Sequence, residues 1–268
     1  MRVFTAALAL FQLLLLSRAA PAQGRLTAEE VHTRLEATGN DAPDLSGTDL
    51  SHLDLHGVNF RKANLRQANL SGANLVKADL FSCDLTDAVA DGAQLDGANL
   101  DGTTLRRASF RDASLRGASL FATIVEAADL SGADLRETRI IGYLKRAKLV
   151  GAKLAGANIG ADAGNQSMGV MRAQFVGADL SSADLSGANL FKADFSYARL
   201  VGAVLAGADL KNAELVQTDL SQADVTGADV ALANLSGAIF TGARGVLTLK
   251  GLAEARNRDK AVFDEHQE

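Results

Sequence analysis

Residues 63–82 read ANLRQANLSGANLVKADLFS, which is one five-residue pattern written four times. Each copy has a small residue, then Asn or Asp, then Leu, then two residues that are mostly polar or small. We call the Leu the centre of the pentad. Centres recur at every fifth residue from Leu45 to Ile140, again from Leu144 to Ile159, and again from Phe175 to Phe240. These 38 pentads occupy 190 of the 268 residues, and 37 centres are Leu, Phe, Ile or Val.

A period of five matches neither the 3.6-residue turn of an α-helix nor the alternation of a long strand. In extended backbone the small residue and the centre point to the same side, because they are two residues apart. The two residues after the centre suit a turn. Short extended segments joined by such turns predict a chain that coils around an axis, with Leu and Ala inside and successive coils stacked about 4.8 Å apart. The sequence therefore predicts an all-β solenoid.

The composition fits this interior and excludes several classes of function. The chain is 47% hydrophobic but only 5% aromatic, and it has no Trp, so Leu and Ala must fill the core. A net charge of -5 argues against a nucleic-acid binder. A single Cys excludes an intrachain disulfide and a cysteine-based metal site.

The pattern resembles the pentapeptide-repeat family, whose motif is a small residue, Asn or Asp, Leu or Phe, and two polar positions. The resemblance covers about 190 of the 268 residues. It implies a right-handed quadrilateral β-helix with four pentads in each coil. On that count the repeats form a rod roughly 45 Å long at the spacing of paired strands. We expect short capping helices at both ends, because a solenoid needs covered ends.

The N-terminus has the pattern of an export signal. Arg2 precedes an apolar run from Val3 to Leu16, and Ala20-Pro21-Ala22 has the small-x-small form that signal peptidase accepts. We expect cleavage after Ala22, no membrane span in the mature chain, and a periplasmic or secreted protein. An uncleaved membrane anchor is the alternative.

The rest of the chain divides into a capped rod with one interruption. Thr27-Ala28-Glu29-Glu30 is a capping box and predicts a helix from about Ala28 to Thr38 that ends at Gly39. Leu249 to Arg258 is expected to form a short amphipathic helix over the last coil. The predicted divisions are a signal peptide (1–22), an N-terminal capping helix (23–41), the solenoid (42–159), an irregular segment (160–172), the continued solenoid (173–243), and a C-terminal cap helix with a tail (244–268).

The phase of the repeat changes at two places. Continuing the first phase would make Lys145 a centre and bury its ammonium group at a prohibitive cost. One residue fewer after Ile140 places Leu144 inside instead, so we predict a shortened side there. The second break, GADAGNQSMGVMR at 160–172, has no clean pentads. It is either a loop that projects from the rod or three degenerate sides of one coil.

Two outward surfaces are candidates for partner binding. If four pentads make one coil, residues 20 apart stack on one face, and the positions directly after the centres then align apolar residues where polar ones are usual. The alternative is that these residues pack flat on their neighbours as isolated surface side chains. The candidate face contains Phe81, Phe121, Ile141 and Phe191.

The second candidate surface is a basic band in the middle of the chain, which could meet an acidic partner or anionic lipid. Its alternative is a solvated band spread over several faces. The band contains Arg106, Arg107, Arg136, Arg139, Lys145, Arg146, Lys148 and Lys153.

No catalytic, cofactor or metal site is predicted. His52 and His56, with Asp49 and Asp54 nearby, lack an evident third ordered ligand. Cys83 occupies a small inward position and reads as an inert core thiol. The recurring Asn and Asp have a turn role by position. An enzyme would need the polar cluster of the irregular segment, which consists of Asp162, Asn165, Gln166 and Ser167.

These observations favour a non-catalytic exported scaffold that binds an unidentified protein partner, with a homodimer as a further option. Some relatives imitate duplex DNA and bind topoisomerases, so the resemblance supplies an alternative: a DNA-mimicking topoisomerase-binding protein. The acidic stretch from Gln174 to Phe240 is compatible with it, whereas the export signal and the basic middle oppose it. Nucleic acid itself is not expected as a partner.

Overall fold

The chain winds into a four-sided coil. The computed structural model describes residues 26–37, 42–161 and 171–264. Regular coils pair each residue that precedes a centre, in parallel, with the residue 20 positions later, beginning with Asp44 and Asn64. Each side is therefore one pentad, as predicted. The columns of centres that begin at Leu45, Leu50, Leu55 and Phe60 define sides 1, 2, 3 and 4.

The rod encloses a continuous apolar column. Every centre from Leu45 to Phe240 is at most 1% exposed, and Phe175 stacks on Phe195 with ring centroids 4.9 Å apart. Each fully buried Leu contributes roughly 1.5–3 kcal/mol relative to an exposed one. Side 1 has eleven ladder levels from Asp44 to Arg256, which gives a length of about 48 Å at strand spacing.

Backbone hydrogen bonds explain the residue types at the turns. The Leu65 N–H donates to the Asp84 carbonyl at 2.8 Å in the next coil, and the Ala68 N–H donates back to the Leu65 carbonyl at 3.1 Å, closing the turn. The second turn residue has a positive φ, 57° at Gln67 and 63° at Gly72. This geometry favours Gly, which accounts for the many glycines two positions after a centre.

The Asn or Asp before each centre supports the turn and links neighbouring coils. The Phe81 N–H donates to Asp79 Oδ1 at 3.1 Å, and Asn99 Nδ2 donates to the same oxygen at 3.0 Å from the next coil. Equivalent bonds recur along the rod, for example from Asn64 to Asp44. The turn role predicted for these residues is confirmed.

The N-terminal helix is present. α1 spans Ala28–Ala37, the Thr27 N–H donates to Glu30 Oε2 at 2.7 Å, and the Glu30 N–H donates to Thr27 Oγ1 at 3.2 Å, which is a complete capping box. The Leu26 N–H donates to the Asp49 carbonyl at 3.1 Å, so the helix is tied to the first coil. The signal peptide (1–22) and the expected helix end at Gly39 lie outside the described residues. In the described ranges, no helix combines the length and apolarity that crossing a membrane requires.

The single C-terminal helix that we predicted is wrong. The ladder continues to the pair Ile239 and Val262, and each of its last three pairs is separated by one residue more than the pair before. The Lys250 N–H donates to the Ala228 carbonyl at 2.8 Å, which holds this segment extended against the preceding coil. The added residues form 3₁₀ turns at the corners, which are η1 (Val246–Thr248), η2 (Leu252–Glu254) and η3 (Arg258–Lys260).

The shortened side is confirmed. Strand β1 (Ser119–Ile124) pairs in parallel with β2 (Arg139–Tyr143), so six residues face five. Leu144 is 1% exposed, whereas Lys145 is exposed. The corner between sides 4 and 1, called corner 4/1 below, holds two residues in a regular coil but only Ile141 here. The chain therefore cuts this corner, and Gly142 takes the inward position that Ala usually occupies.

The irregular segment adds length to the chain but no side to the coil. Tyr143 pairs with Gln174 and Asn158 with Asn189, in each case 31 residues apart instead of 20. Three degenerate sides would have moved Phe175 to side 3. Phe175 instead continues side 1 above Leu144, so the degenerate-coil interpretation is wrong. The ladder is followed as far as Ala161 and resumes with Gln174, on either side of corner 4/1. Residues 162–170 lie outside the described part of the chain.

Candidate interaction surface

Three of the four residues of the predicted apolar face align along corner 4/1. Phe81, Phe121 and Phe191, called the phenylalanine column below, each directly follow a centre of side 4 and are half-buried. The Phe121 N–H donates to Asp101 Oδ1 at 2.9 Å, and Asp101 occupies the intervening level. Phe191 stays on this corner because the irregular segment does not rotate the register.

A cation covers each ring of the phenylalanine column. The guanidinium carbon of Arg61 lies 4.4 Å from the Phe81 centroid, and that of Arg139 lies 4.5 Å from the Phe121 centroid. Lys192 Nζ lies 5.1 Å from the Phe191 centroid. These cation–π pairs stabilise the rings at the surface. The column therefore presents rings and cations together instead of a bare apolar stripe.

Ile141 does not belong to this surface. We predicted that it would be exposed with the phenylalanines, but it is 2% exposed. The cause is the shortened side, because a corner with one residue draws that residue inward. The backbone at Gly142 passes close to the preceding coil, since a Cβ added there would lie 2.4 Å from the Thr123 carbonyl oxygen.

The basic band encircles the rod. Lys148 lies on side 2, Lys153 on side 3 and Arg139 on side 4. Arg136 lies in the turn between sides 3 and 4. Several members are paired: Arg107 with Asp87 at 2.6 Å, and Arg136 with Asp134. Four members of the band lie close together at the corner between sides 1 and 2, called corner 1/2 below. They are Arg106, Arg107, Lys145 and Arg146.

At corner 1/2 several cations surround one carboxylate. Arg146 donates to Glu126 at 2.9 Å, and Arg106 lies 3.6 Å from its other oxygen. The hydrogen bond from Arg146, together with the charges of Arg146, Arg106 and Lys145, holds the pKa of Glu126 below its ordinary value. Glu126 is therefore ionised at neutral pH, and the corner keeps more positive than negative charge.

Sequence reasoning missed the apolar pair beside this corner. Ile124 and Tyr143 are neighbours in the ladder of side 1, and Tyr143 is 46% exposed. They line a depression of about 280 Å³ together with Arg106, Glu126 and Lys145. Both occupy the pentad position where Asn or Asp is usual, and this substitution was the feature of the sequence that could have revealed them. Their adjacency was missed because they are 19 residues apart across the shortened side, whereas neighbours in regular coils are 20 residues apart.

The reactive Cys and His side chains considered in the sequence analysis lie either in the core or at exposed corners. The Cys83 thiol donates to the Phe60 carbonyl at 3.1 Å, and burial raises its pKa to about 12. His52 and His56 are exposed at consecutive corners. No cluster of three His, Cys, Asp or Glu side chains in the described ranges is arranged to hold a metal ion. The polar cluster of the irregular segment, which begins at Asp162, lies outside those ranges.

The repeat and the coil identify the family. The family model for pentapeptide repeats, in eight copies, matches residues 44–80, 83–120, 171–205 and 203–242, which is more than half of the chain. This chain belongs to the pentapeptide-repeat family. Its fold is accordingly the right-handed quadrilateral β-helix. The unmatched stretch between residues 120 and 171 contains the shortened side and most of the irregular segment.

The solved structure of a pentapeptide-repeat protein shares this fold. HetL, a pentapeptide-repeat protein involved in heterocyst differentiation regulation in the cyanobacterium Nostoc, is 29% identical with a TM-score of 0.71. The match covers 89% of this chain and 100% of HetL. QnrB1, a plasmid-mediated fluoroquinolone resistance protein, is 20% identical over 78% of this chain and 90% of its own, with a TM-score of 0.45. No curated protein matches the chain significantly.

Proposed function

We propose that this chain is an exported, non-catalytic scaffold that binds another protein along its rod. The observation that supports this most is the phenylalanine column at corner 4/1, three half-buried rings each paired with a cation. Aromatic rings and Arg are enriched at protein interfaces. A partner that follows this corner would meet them at fixed multiples of the coil spacing.

The rod is suited to extended binding. Each level of the ladder is hydrogen-bonded to the levels on both sides, so outward side chains on consecutive coils stay about 4.8 Å apart. Flat sides with a constant repeat bind by complementarity along their length. Cys83, a buried thiol with a raised pKa, has no nucleophilic role in this proposal.

Export is supported by the apolar run and the small residues of 1–22. Mass spectrometry of the protein produced in a cell with a secretion pathway tests it. A mature chain that begins at Gln23 in the exported fraction is expected. An intact N-terminus would leave the membrane-anchor alternative.

Replacing two rings of the phenylalanine column tests the binding surface. Phe81→Ser combined with Phe121→Ser should leave the circular dichroism spectrum unchanged, because both rings are outside the core. It should reduce the recovery of cross-linked partner from the exported fraction, measured by quantitative proteomics. The matched control replaces apolar residues at the same turn position on other corners, Val76→Ser with Val150→Ser. Equal recovery with both double variants would remove the phenylalanine column from the proposal. Light scattering would show whether the partner is a second copy.

The acidic side chains do not favour the DNA-mimic alternative. The eight carboxylates between Gln174 and Phe240 are spread two to a side, and six of them are ion-paired, for example Asp179 with Arg199 and Asp224 with Arg244. A mimic of duplex DNA needs unpaired negative charge in rows. We expect the mature protein to leave topoisomerase supercoiling unaffected; inhibition would support the alternative.

A further inference from the structure

We propose that the surface created by the shortened side binds an extended acidic segment of the partner protein, with one apolar side chain of that segment in the depression between Ile124 and Tyr143. This inference rests on the proposed scaffold function and names the chemistry of its partner. The surface, called the side-1 platform, consists of Arg106, Ile124, Glu126, Tyr143, Lys145 and Arg146.

The side-1 platform has an apolar floor. Ile124 at the end of β1 and Tyr143 at the end of β2 are directly paired in the ladder, so their side chains emerge one coil apart. Ile124 is half-buried and Tyr143 is exposed. The depression that they line is about 280 Å³, which is room for a single side chain. Regular coils place Asn or Asp at this position and use its oxygen to support the turn.

Cations form the edge of the platform. Arg106, Lys145 and Arg146 stand on corner 1/2 around the single carboxylate of Glu126. In the described ranges no carboxylate lies at ion-pair distance from Lys145, which is exposed. The Arg146 side chain is 73% exposed. Three cations around one carboxylate leave about two positive charges for a ligand, and carboxylates that flank an apolar side chain complement this arrangement.

The arrangement favours a protein segment over a membrane surface. The apolar groups line a depression beside the charged edge, whereas insertion into a bilayer requires apolar side chains that protrude from the surface. Among the other cations of the basic band, Arg107 is paired with Asp87. Arg136, Arg139, Lys148 and Lys153 face sides 2, 3 and 4, so they would not meet a flat lipid surface together with Lys145. An extended segment needs only one side of the rod.

Peptide display on the purified mature protein tests the proposal. A library of random peptides is selected on the protein, and selected peptides are measured by fluorescence anisotropy against Lys145→Gln and Tyr143→Ser. Lys153→Gln is the matched control, because it removes the same charge in the same coil on the opposite side of the rod. Thermal melting verifies that all three variants fold.

We expect the selected peptides to be enriched in Asp and Glu around one aromatic or aliphatic residue. Lys145→Gln and Tyr143→Ser should each weaken binding about tenfold, as at an interface hot spot, and Lys153→Gln should leave it unchanged. Failure to select peptides, selection without acidic enrichment, or equal weakening by Lys153→Gln would overturn the inference. Vesicles of phosphatidylglycerol that bind through Lys145 while no acidic peptide binds would assign the platform to lipid.

The two proposals fail separately. Loss of partner recovery on replacing Phe81 and Phe121, without peptide binding at the platform, would leave the scaffold function standing and remove its acidic ligand. An unchanged recovery together with peptide binding would retain the platform and reject the phenylalanine column.

Discussion

The regular coil at residues 63–82 and the shortened side at 140–144 solve the same packing problem with different lengths of chain. Both bury their centres completely, and both continue the parallel ladder. The regular coil has two residues at each corner and carries Asn or Asp on its outer surface. The shortened side has one corner residue, buries it, and ends in Tyr143. Regularity thus gives this rod its stability, and a departure from regularity gives it a distinctive surface.

The largest contrast should come from inserting one alanine at equivalent places. Between Gly142 and Tyr143 the insertion restores a full pentad, with the new alanine in the inward position and Gly142 in the turn, so stability should be retained. Between Gly72 and Ala73 the extra residue breaks the ladder. It should cost about 2–4 kcal/mol through unpaired backbone groups. Urea denaturation measures both; equal losses would mean that the shortened side is not a missing turn residue.

A smaller difference is expected between two glycines. Gly142→Ala should cost about 3 kcal/mol, because the added Cβ would lie 2.4 Å from the Thr123 carbonyl oxygen. Gly156→Ala, at a regular corner with open space and a φ of 68°, should cost roughly 1 kcal/mol for the left-handed backbone alone. In the protein carrying the alanine insertion before Tyr143, the cost of Gly142→Ala should fall to that of Gly156→Ala. The free energy of unfolding in urea checks all three values.

The burial of Cys83 inside a regular coil should be measurable from the ionisation and alkylation of its thiol. Its pKa in the folded protein, about 12, lies above the value of an unfolded chain, so its contribution to stability is complete below the unfolded pKa. That contribution is lost as the pH rises from about 8.5 towards 12. Alkylation at pH 8 should therefore require unfolding. Cys83→Ala should flatten the alkaline side of the stability curve, and rapid alkylation of the native protein would contradict the burial.

The smallest effect concerns Glu126 beside the shortened side. Hydrogen bonding from Arg146 lowers the pKa of Glu126, so its favourable interaction is present at neutral pH and is lost as the pH falls through that lowered value. Arg146→Gln should move the pKa back towards the ordinary range, as measured by carboxyl ¹³C NMR. Arg136→Gln, whose partner is Asp134, is the control and should leave Glu126 unchanged.

Much of the fold could be predicted because each pentad repeats the same residue types at the same positions. A charged Lys145 at a buried position sufficed to predict the shortened side. The same reasoning did not predict that Ile141 would be buried, because this depends on how a one-residue corner is drawn against the coil below. The family resemblance supplied the four sides, and the ladder pairs establish them.

The C-terminal error has a physical origin. Leu249, Leu252 and Ala255 are partly buried and three residues apart, a spacing typical of a helix. In the structure, six-residue steps with one 3₁₀ turn each produce the same spacing. The candidate surface was predictable only in part, since the phenylalanine column follows from a separation of 20, whereas Ile124 and Tyr143 meet only after the phase change.

Between Leu45 and Phe240 the pentad length changes twice, and both changes fall at corner 4/1, in consecutive coils. One removes a residue after Ile140, and the other adds eleven residues after Ile159, yet sides 2, 3 and 4 keep their pitch through both. Corner 4/1, called the seam below, is therefore a place where the connection between sides can be shortened or lengthened while the coils remain stacked. A foreign peptide grafted at the seam would be displayed on a rigid support, beside the phenylalanine column, without disturbing the stacked interior.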